Sequence, residues 1–177
     1  MSDPGPDIIE ASRNGDEGAF RCLVESYQGY AYALAARALG DPEEAGDVVQ
    51  EAFVRVWKHL HRYDKKKKFT TWLYSIVSRL CIDRLRRRRS MVELDPEWPA
   101  SGDLFSQFCD RDLLSIIVRL TRGLPPLQRM VFTLRDLEDL EIDRVAEILG
   151  RTRRSVTANL WLARRSIRQR LQELEEK

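Results

Sequence analysis

Apolar residues recur at helical spacing along most of this chain, and no segment alternates apolar and polar residues as a half-buried strand does. From Phe20 the apolar positions are Phe20, Leu23, Val24, Tyr27, Ala31, Leu34, Ala35 and Ala38, one stripe of a long helix. The stripe ends at "LGDP". Gly40 suits the residue after a helix end, Asp41 can cap a new helix, Pro42 fits its first position, and Glu44 stands where a capping box needs it. The second helix would bury Ala45, Val48, Val49, Ala52, Phe53, Val56, Trp57 and Leu60. A third starts near Thr70, with Phe69, Trp72, Leu73, Ile76, Val77, Leu80 and Cys81 on its stripe. Three helices with matching stripes make one compact bundle.

The stretch from Ser90 to about Arg111 contains Pro, Gly and Asp without a clean period and reads as a flexible linker. A second helical unit follows. Leu113, Ile116, Ile117 and Leu120 form one helix, and a proline pair restarts the chain into Leu127, Met130, Val131 and Leu134. Ile142, Val145, Ala146 and Leu149 form the next, ended by Gly150. Thr152 can cap a last helix with Val156, Leu160, Ala163, Ile167 and Leu171 inward. Two helices around a glycine-containing turn, the second strongly basic, are a helix-turn-helix pattern. The expected fold is therefore all-α: two small helical bundles, residues 1–89 and 112–177, joined by a linker over 90–111, with the helix-turn-helix in the C-terminal bundle. About 22 flexible residues have a root-mean-square span of roughly 25 Å and a maximum near 70 Å.

Charge is segregated along these units. The net charge is only +2. Residues 62–89 nevertheless carry 11 basic and 2 acidic side chains, and residues 151–170 carry 7 basic and none acidic. Residues 1–61 and 90–150 are each net −6. Two basic patches between acidic stretches suit a polyanion held at two places. No run of about 18 apolar residues marks a membrane span, and the N-terminus lacks the basic and apolar regions of a signal peptide. Cys22, Cys81 and Cys109 are odd in number and scattered, which argues against a disulfide framework or zinc site and fits a reducing cytoplasm. Neither a metal nor a cofactor is expected.

In "KKKKFTTWLYSIVSRLCIDRLRRRRS" the core stripe leaves Thr71, Ser75, Ser78, Arg79 and Arg86 on the opposite helix face. Hydroxyls and arginines suit phosphates and exposed base edges. Lys65, Lys66, Lys67 and Lys68 precede the helix N-terminus, itself an anion-binding end. Phe69 and Trp72 either build the core or stack unpaired bases. Arg151, Arg153 and Arg154 lie where a recognition helix enters the major groove. On the second helix Asp47, Gln50, Glu51 and Val54 face away from the stripe. That face could dock a protein, hold a metal or simply be solvated; nothing beside it resembles a nucleophile with its base.

Three stretches in this order and spacing, "LGDPEEAGDVVQEAFVRVW", "FTTWLYSIVSRLCIDRLRRR" and "LPPLQRMVFTLRDLEDLEIDRVAEILG", resemble the bacterial RNA polymerase sigma factors of the short, extracytoplasmic-function type. The resemblance spans about Phe20 to Leu171. It implies a promoter-specificity subunit without enzymatic activity. Its first bundle would dock on core polymerase through Asp47, Gln50, Glu51 and Val54. Tyr63, Lys65–Lys68, Thr71, Ser75, Ser78, Arg79 and Arg86 would bind the minus-ten element and its melted non-template strand, where a base is flipped out. Arg151, Thr152, Arg153, Arg154, Ser155, Thr157, Ala158 and Arg164 would bind the minus-thirty-five element. It further implies RNA polymerase core and promoter DNA as partners, an anti-sigma factor as regulator, and no membrane insertion.

The sequence also departs from the family. Thr157, Asn159 and Leu162 stand at three positions that are usually basic, and Ser78 and Arg79 stand where relatives often have Arg-Asn. One of Trp161 and Leu162 is expected in the core. Two rivals remain at this point. A stand-alone helix-turn-helix regulator leaves the acidic face without a role, and a nucleic-acid-processing enzyme lacks a visible metal or nucleophile constellation.

Overall fold

Helix ends in this chain are set by local chemistry. The computed structural model describes residues 5–94 and 113–175, and every regular element among them is helical. Helix α1 (Pro6–Arg13) buries Ile9 against the first bundle. In α2 (Glu17–Leu39) the Asp16 carboxylate accepts from the Ala19 N–H at 2.9 Å, and Gly40 ends the helix at φ 67°. Helix α3 (Pro42–His59) starts with the Asp41 carboxylate accepting from the N–H groups of Glu43 and Glu44, both at 3.0 Å. Glu44 does not complete a capping box. Its carboxylate pairs with Arg88 at 2.7 Å, and Arg88 also donates to the Leu39 carbonyl. A charged partner across the bundle outcompetes the local backbone N–H. A 3₁₀ turn (Leu60–Arg62) and a basic loop lead into α4 (Phe69–Leu94). Helix α4 thus runs past Ser90 into the expected linker; the rest of that segment lies outside the described residues.

The second unit comprises α5 (Leu113–Thr121), α6 (Pro126–Phe132), α7 (Ile142–Leu149) and α8 (Arg153–Glu175). Helix α6 continues into a wider π-type turn, Thr133–Leu137, closed by the Glu138 N–H donating to the Thr133 carbonyl at 2.9 Å. Gly150 adopts φ 59° after α7, and the Arg151 N–H returns to the Ala146 carbonyl at 2.9 Å. Thr152 caps α8 by accepting from the Ser155 N–H at 3.2 Å.

The all-helical, two-bundle reading holds, but the bundles are packed on each other. Tyr27, Phe53, Phe69 and Val77 of the first share one continuous core with Met130, Val131, Leu134 and Val145 of the second. The π-type turn delivers Glu138 to the seam, where it pairs with Arg37 and accepts from the Tyr74 hydroxyl at 3.5 Å. Arg144 donates to Thr70 at 2.8 Å, and Lys67 pairs with Glu147 at 2.9 Å. No helix among the described residues is long and apolar enough to cross a membrane.

Candidate nucleic-acid and partner interfaces

The basic loop and α4 divide into a core side and an open side. Tyr63 is buried against Phe69 and Trp72, with ring centroids 5.7 and 5.3 Å away, and its hydroxyl donates to the Lys67 carbonyl. The sequence reading placed Tyr63 on the nucleic-acid side; here it instead fixes the loop's shape from within. Thr71 and Ser78 were likewise expected on the outer face, yet Ser78 is 0% exposed and Thr71 is buried. The second unit packs against α4, so the expected polar face splits in two. Ser75, Arg79 and Arg86 remain accessible, and Thr71 and Ser78 do not. The Ser75 hydroxyl donates to the Trp72 carbonyl at 2.7 Å.

An open recess of about 480 Å³ lies along this accessible side. Half-buried Trp72 forms one wall with Ser75 and Ile76, and Arg79 closes it from α4. Arg55, His59 and Arg62 come from α3 and the turn after it. Sequence reasoning missed these last three. Their i, i+4, i+7 spacing is the signal that could have found them, since it places them on one helix face. Lys66 and Lys68 are exposed at the loop, while Lys65 pairs with Glu10 of α1 at 2.5 Å. Glu147 bonds Lys67 and holds its ammonium above the ordinary lysine value.

Helices α2 and α3 form a second surface. Asp47 and Gln50 are exposed, Glu51 is half-buried and pairs with Arg55 at 2.6 Å, and Val54 is 52% exposed. Gln50 and Val54 line an apolar groove of about 550 Å³ floored by Val24, Val49 and Phe53, with Glu17 as the carboxylate in its lining. Trp57, expected in the core, instead stands at the groove's rim, tilted against Phe20 at 4.7 Å. It packs α3 against α2 through Phe20 while staying 38% exposed. A contiguous apolar groove with a carboxylate border suits a protein partner. Among the described residues no group of three or more His, Cys, Asp or Glu could hold a metal ion.

The third surface is the start of α8. Arg151, Thr152, Arg153, Arg154, Thr157 and Ala158 are exposed, and Ser155 is half-buried. Arg153 pairs with Asp143 of α7 at 2.6 Å. Arg164 is gripped in a two-bond fork by Asp136 of the π-type turn at 2.6 and 2.9 Å, which raises its pKa and ties α8 down. Trp161 and Leu162 are 59% and 41% exposed, which corrects the expectation that one of them is core. Leu160 and Ala163 take the inward positions on either side.

Comparisons with known proteins bear on both units. Residues 23–91 match the Sigma-70 region 2 model and residues 114–167 match the Sigma-70 region 4 model. The chain is 31% identical over 179 residues to the ECF RNA polymerase sigma factor SigW of Bacillus subtilis (strain 168), covering 94% of this chain and 96% of that protein. Its structure resembles that of CnrH in complex with the cytosolic domain of CnrY, with a TM-score of 0.68 and 26% identity over 94% of this chain and 96% of that one. It shares its fold with the sigma factor RpoE in complex with the anti-sigma factor NepR from Bartonella quintana. There the TM-score is 0.63 at 16% identity, over 86% of this chain and 96% of that one.

Proposed function

Because this chain belongs to the RNA polymerase sigma factors of the extracytoplasmic-function type, we propose that it binds core polymerase through the α2–α3 groove and reads promoters with two separate surfaces. The observation that carries the docking role is an apolar groove on the outside of the first bundle lined by Gln50 and Val54, with Asp47 exposed and Glu51 half-buried on the same helix. Apolar area supplies the affinity, and the carboxylates fix register and accelerate encounter with a basic partner.

The melted minus-ten strand would follow the loop and the open side of α4. Lys66, Lys68, Arg79 and Arg86 neutralise phosphates, Ser75 faces the bases, and Arg55, His59 and Arg62 complete the wall of the recess. The minus-thirty-five element would take the start of α8, with Arg151, Arg153 and Arg154 in the groove. An anti-sigma factor fits as regulator of such a protein, and its work belongs in the cytoplasm without chemistry of its own. A stand-alone helix-turn-helix regulator is disfavoured because both sigma regions are matched, one per bundle.

The test is charge reversal of Asp47 and Glu51 to lysine. Co-purification with core polymerase should be lost while the circular dichroism spectrum and melting temperature are kept. Undiminished core binding by the double variant would remove the docking role.

A further inference from the structure

The outer stripe of α8 changes character along its length. Arg153 and Arg154 begin it, Thr157 and Ala158 follow one turn on, and Trp161 and Leu162 lie a further turn along, together lining an open trough of about 720 Å³. At 1.5 Å rise per residue, Trp161 stands about 12 Å beyond Arg153, roughly the width of a major groove.

The polar side chains that would ordinarily read bases here are hydrogen-bonded to the helix itself, Thr157 and Asn159 as donors and Thr152 as an acceptor. The Thr157 hydroxyl donates to the Arg153 carbonyl at 3.0 Å. The Asn159 amide donates to the Ser155 carbonyl at 2.8 Å, and Asn159 is half-buried. Thr152 is occupied as the helix cap. Beyond the arginines, the stripe presents the methyls of Thr157 and Ala158, the indole of Trp161 and the isobutyl group of Leu162. Arg165 lies over the Trp161 ring at 5.4 Å from its centroid, so cationic charge flanks the apolar end as well. The only apolar feature on a base edge in the major groove is the thymine C5-methyl.

We propose that Ala158 and Trp161, with Leu162 at the edge, read thymine methyl groups in the minus-thirty-five element, and that this apolar contact replaces hydrogen-bond readout at the downstream end of the helix. The occupant is duplex DNA because the apolar patch continues the arginine stripe without a break and is bordered by arginines at both ends. The inference rests on the promoter-reading role proposed above.

The experiment uses holoenzyme reconstituted from this chain and core polymerase. Bound duplexes are selected from a library randomised over the upstream element, and each thymine of the selected sequence is then replaced by deoxyuridine, which deletes only the methyl. The wild-type chain should select at least one thymine in this element and bind about fourfold more weakly for each such methyl removed. Trp161→Ala should abolish that response, and Trp161→Phe, which keeps a smaller apolar face, should retain part of it. Equal binding to thymine and deoxyuridine duplexes would overturn the inference while leaving promoter reading intact, as would an unaltered response in Trp161→Ala, which would leave the patch to a protein partner. Selection of no upstream sequence at all would overturn the promoter reading itself, and this inference with it.

Discussion

Lys67, in the loop before α4, and Glu147, in the first helix of the helix-turn-helix, form an ion pair at 2.9 Å that closes the basic loop against the second unit. Around it, Arg37 and Tyr74 meet Glu138, and Arg144 meets Thr70. Two promoter elements about two helical turns apart are separated by roughly 70 Å. A compact chain of 177 residues has a radius of gyration of only about 16 Å. The packed arrangement cannot reach both elements together. The free chain should therefore scatter as a compact particle, and dyes placed one on each unit should move apart by tens of ångströms when holoenzyme forms on a promoter. An unchanged transfer efficiency would contradict the two-surface account.

Replacing Lys66 and Lys68 with alanine should weaken open-complex formation and flatten its salt dependence. Each phosphate left without its lysine lowers the slope of log affinity against log salt by about 0.7 on single strands or 0.9 on duplex, so the pair should reduce it by about 1.4–1.8. Lys65 and Lys67 already hold Glu10 and Glu147, and their alanine variants should show smaller slope changes unless those pairs break first. A slope unaltered by the Lys66 and Lys68 substitutions would take the loop out of DNA binding.

Gly40 links the two units through one close approach. It sits at φ 67°, and a Cβ there would fall 2.3 Å from Val118 Cγ1 of α5. Left-handed strain of about 1–2 kcal/mol adds to overpacking of about 1–3 kcal/mol. Gly40→Ala should lower the melting temperature by about 5–15 °C at this chain length. A shift below about 2 °C would show that α5 does not press on the α2–α3 corner.

Cysteine chemistry separates a buried thiol from an open one. Burial pushes Cys81 up to about 12, so almost none of it is thiolate near neutral pH. Cys22 is exposed. Iodoacetamide at pH 8 should modify Cys22 and leave Cys81 intact until denaturant is added. Because the folded pKa is raised, protection should persist to about pH 11 and fail as pH approaches 12. Fast alkylation of Cys81 at pH 8 would show that the seam over α4 opens freely.

Periodicity found the helices from the Phe20 stripe onward, and their ends at Gly40 and Pro42 were legible because caps, glycines and prolines act locally. It did not reach α1, whose eight residues bury little beyond Ile9. The face carrying Asp47, Gln50, Glu51 and Val54 was legible because spacing alone puts the four on one helix side, and Asp47, Gln50 and Val54 are exposed as expected. The minus-ten face was legible only in part. A helical wheel treats everything off the apolar stripe as outside, whereas Thr71 and Ser78 are buried on a helix whose Thr70 and Tyr74 meet the second unit. That long-range packing is invisible to local spacing. Trp57 failed the same way in reverse, as did the expectation that one of Trp161 and Leu162 is core: large apolar side chains suggest burial, but all three are exposed.

The most direct measurement is transcription by purified core polymerase on a pool of genomic fragments from the source organism, with and without this chain. Stoichiometric association with core, together with discrete start sites that disappear when the chain is omitted, is the predicted result. No association with core, combined with tight and specific binding of duplex DNA by the chain alone, would contradict the account and leave a stand-alone regulator in its place.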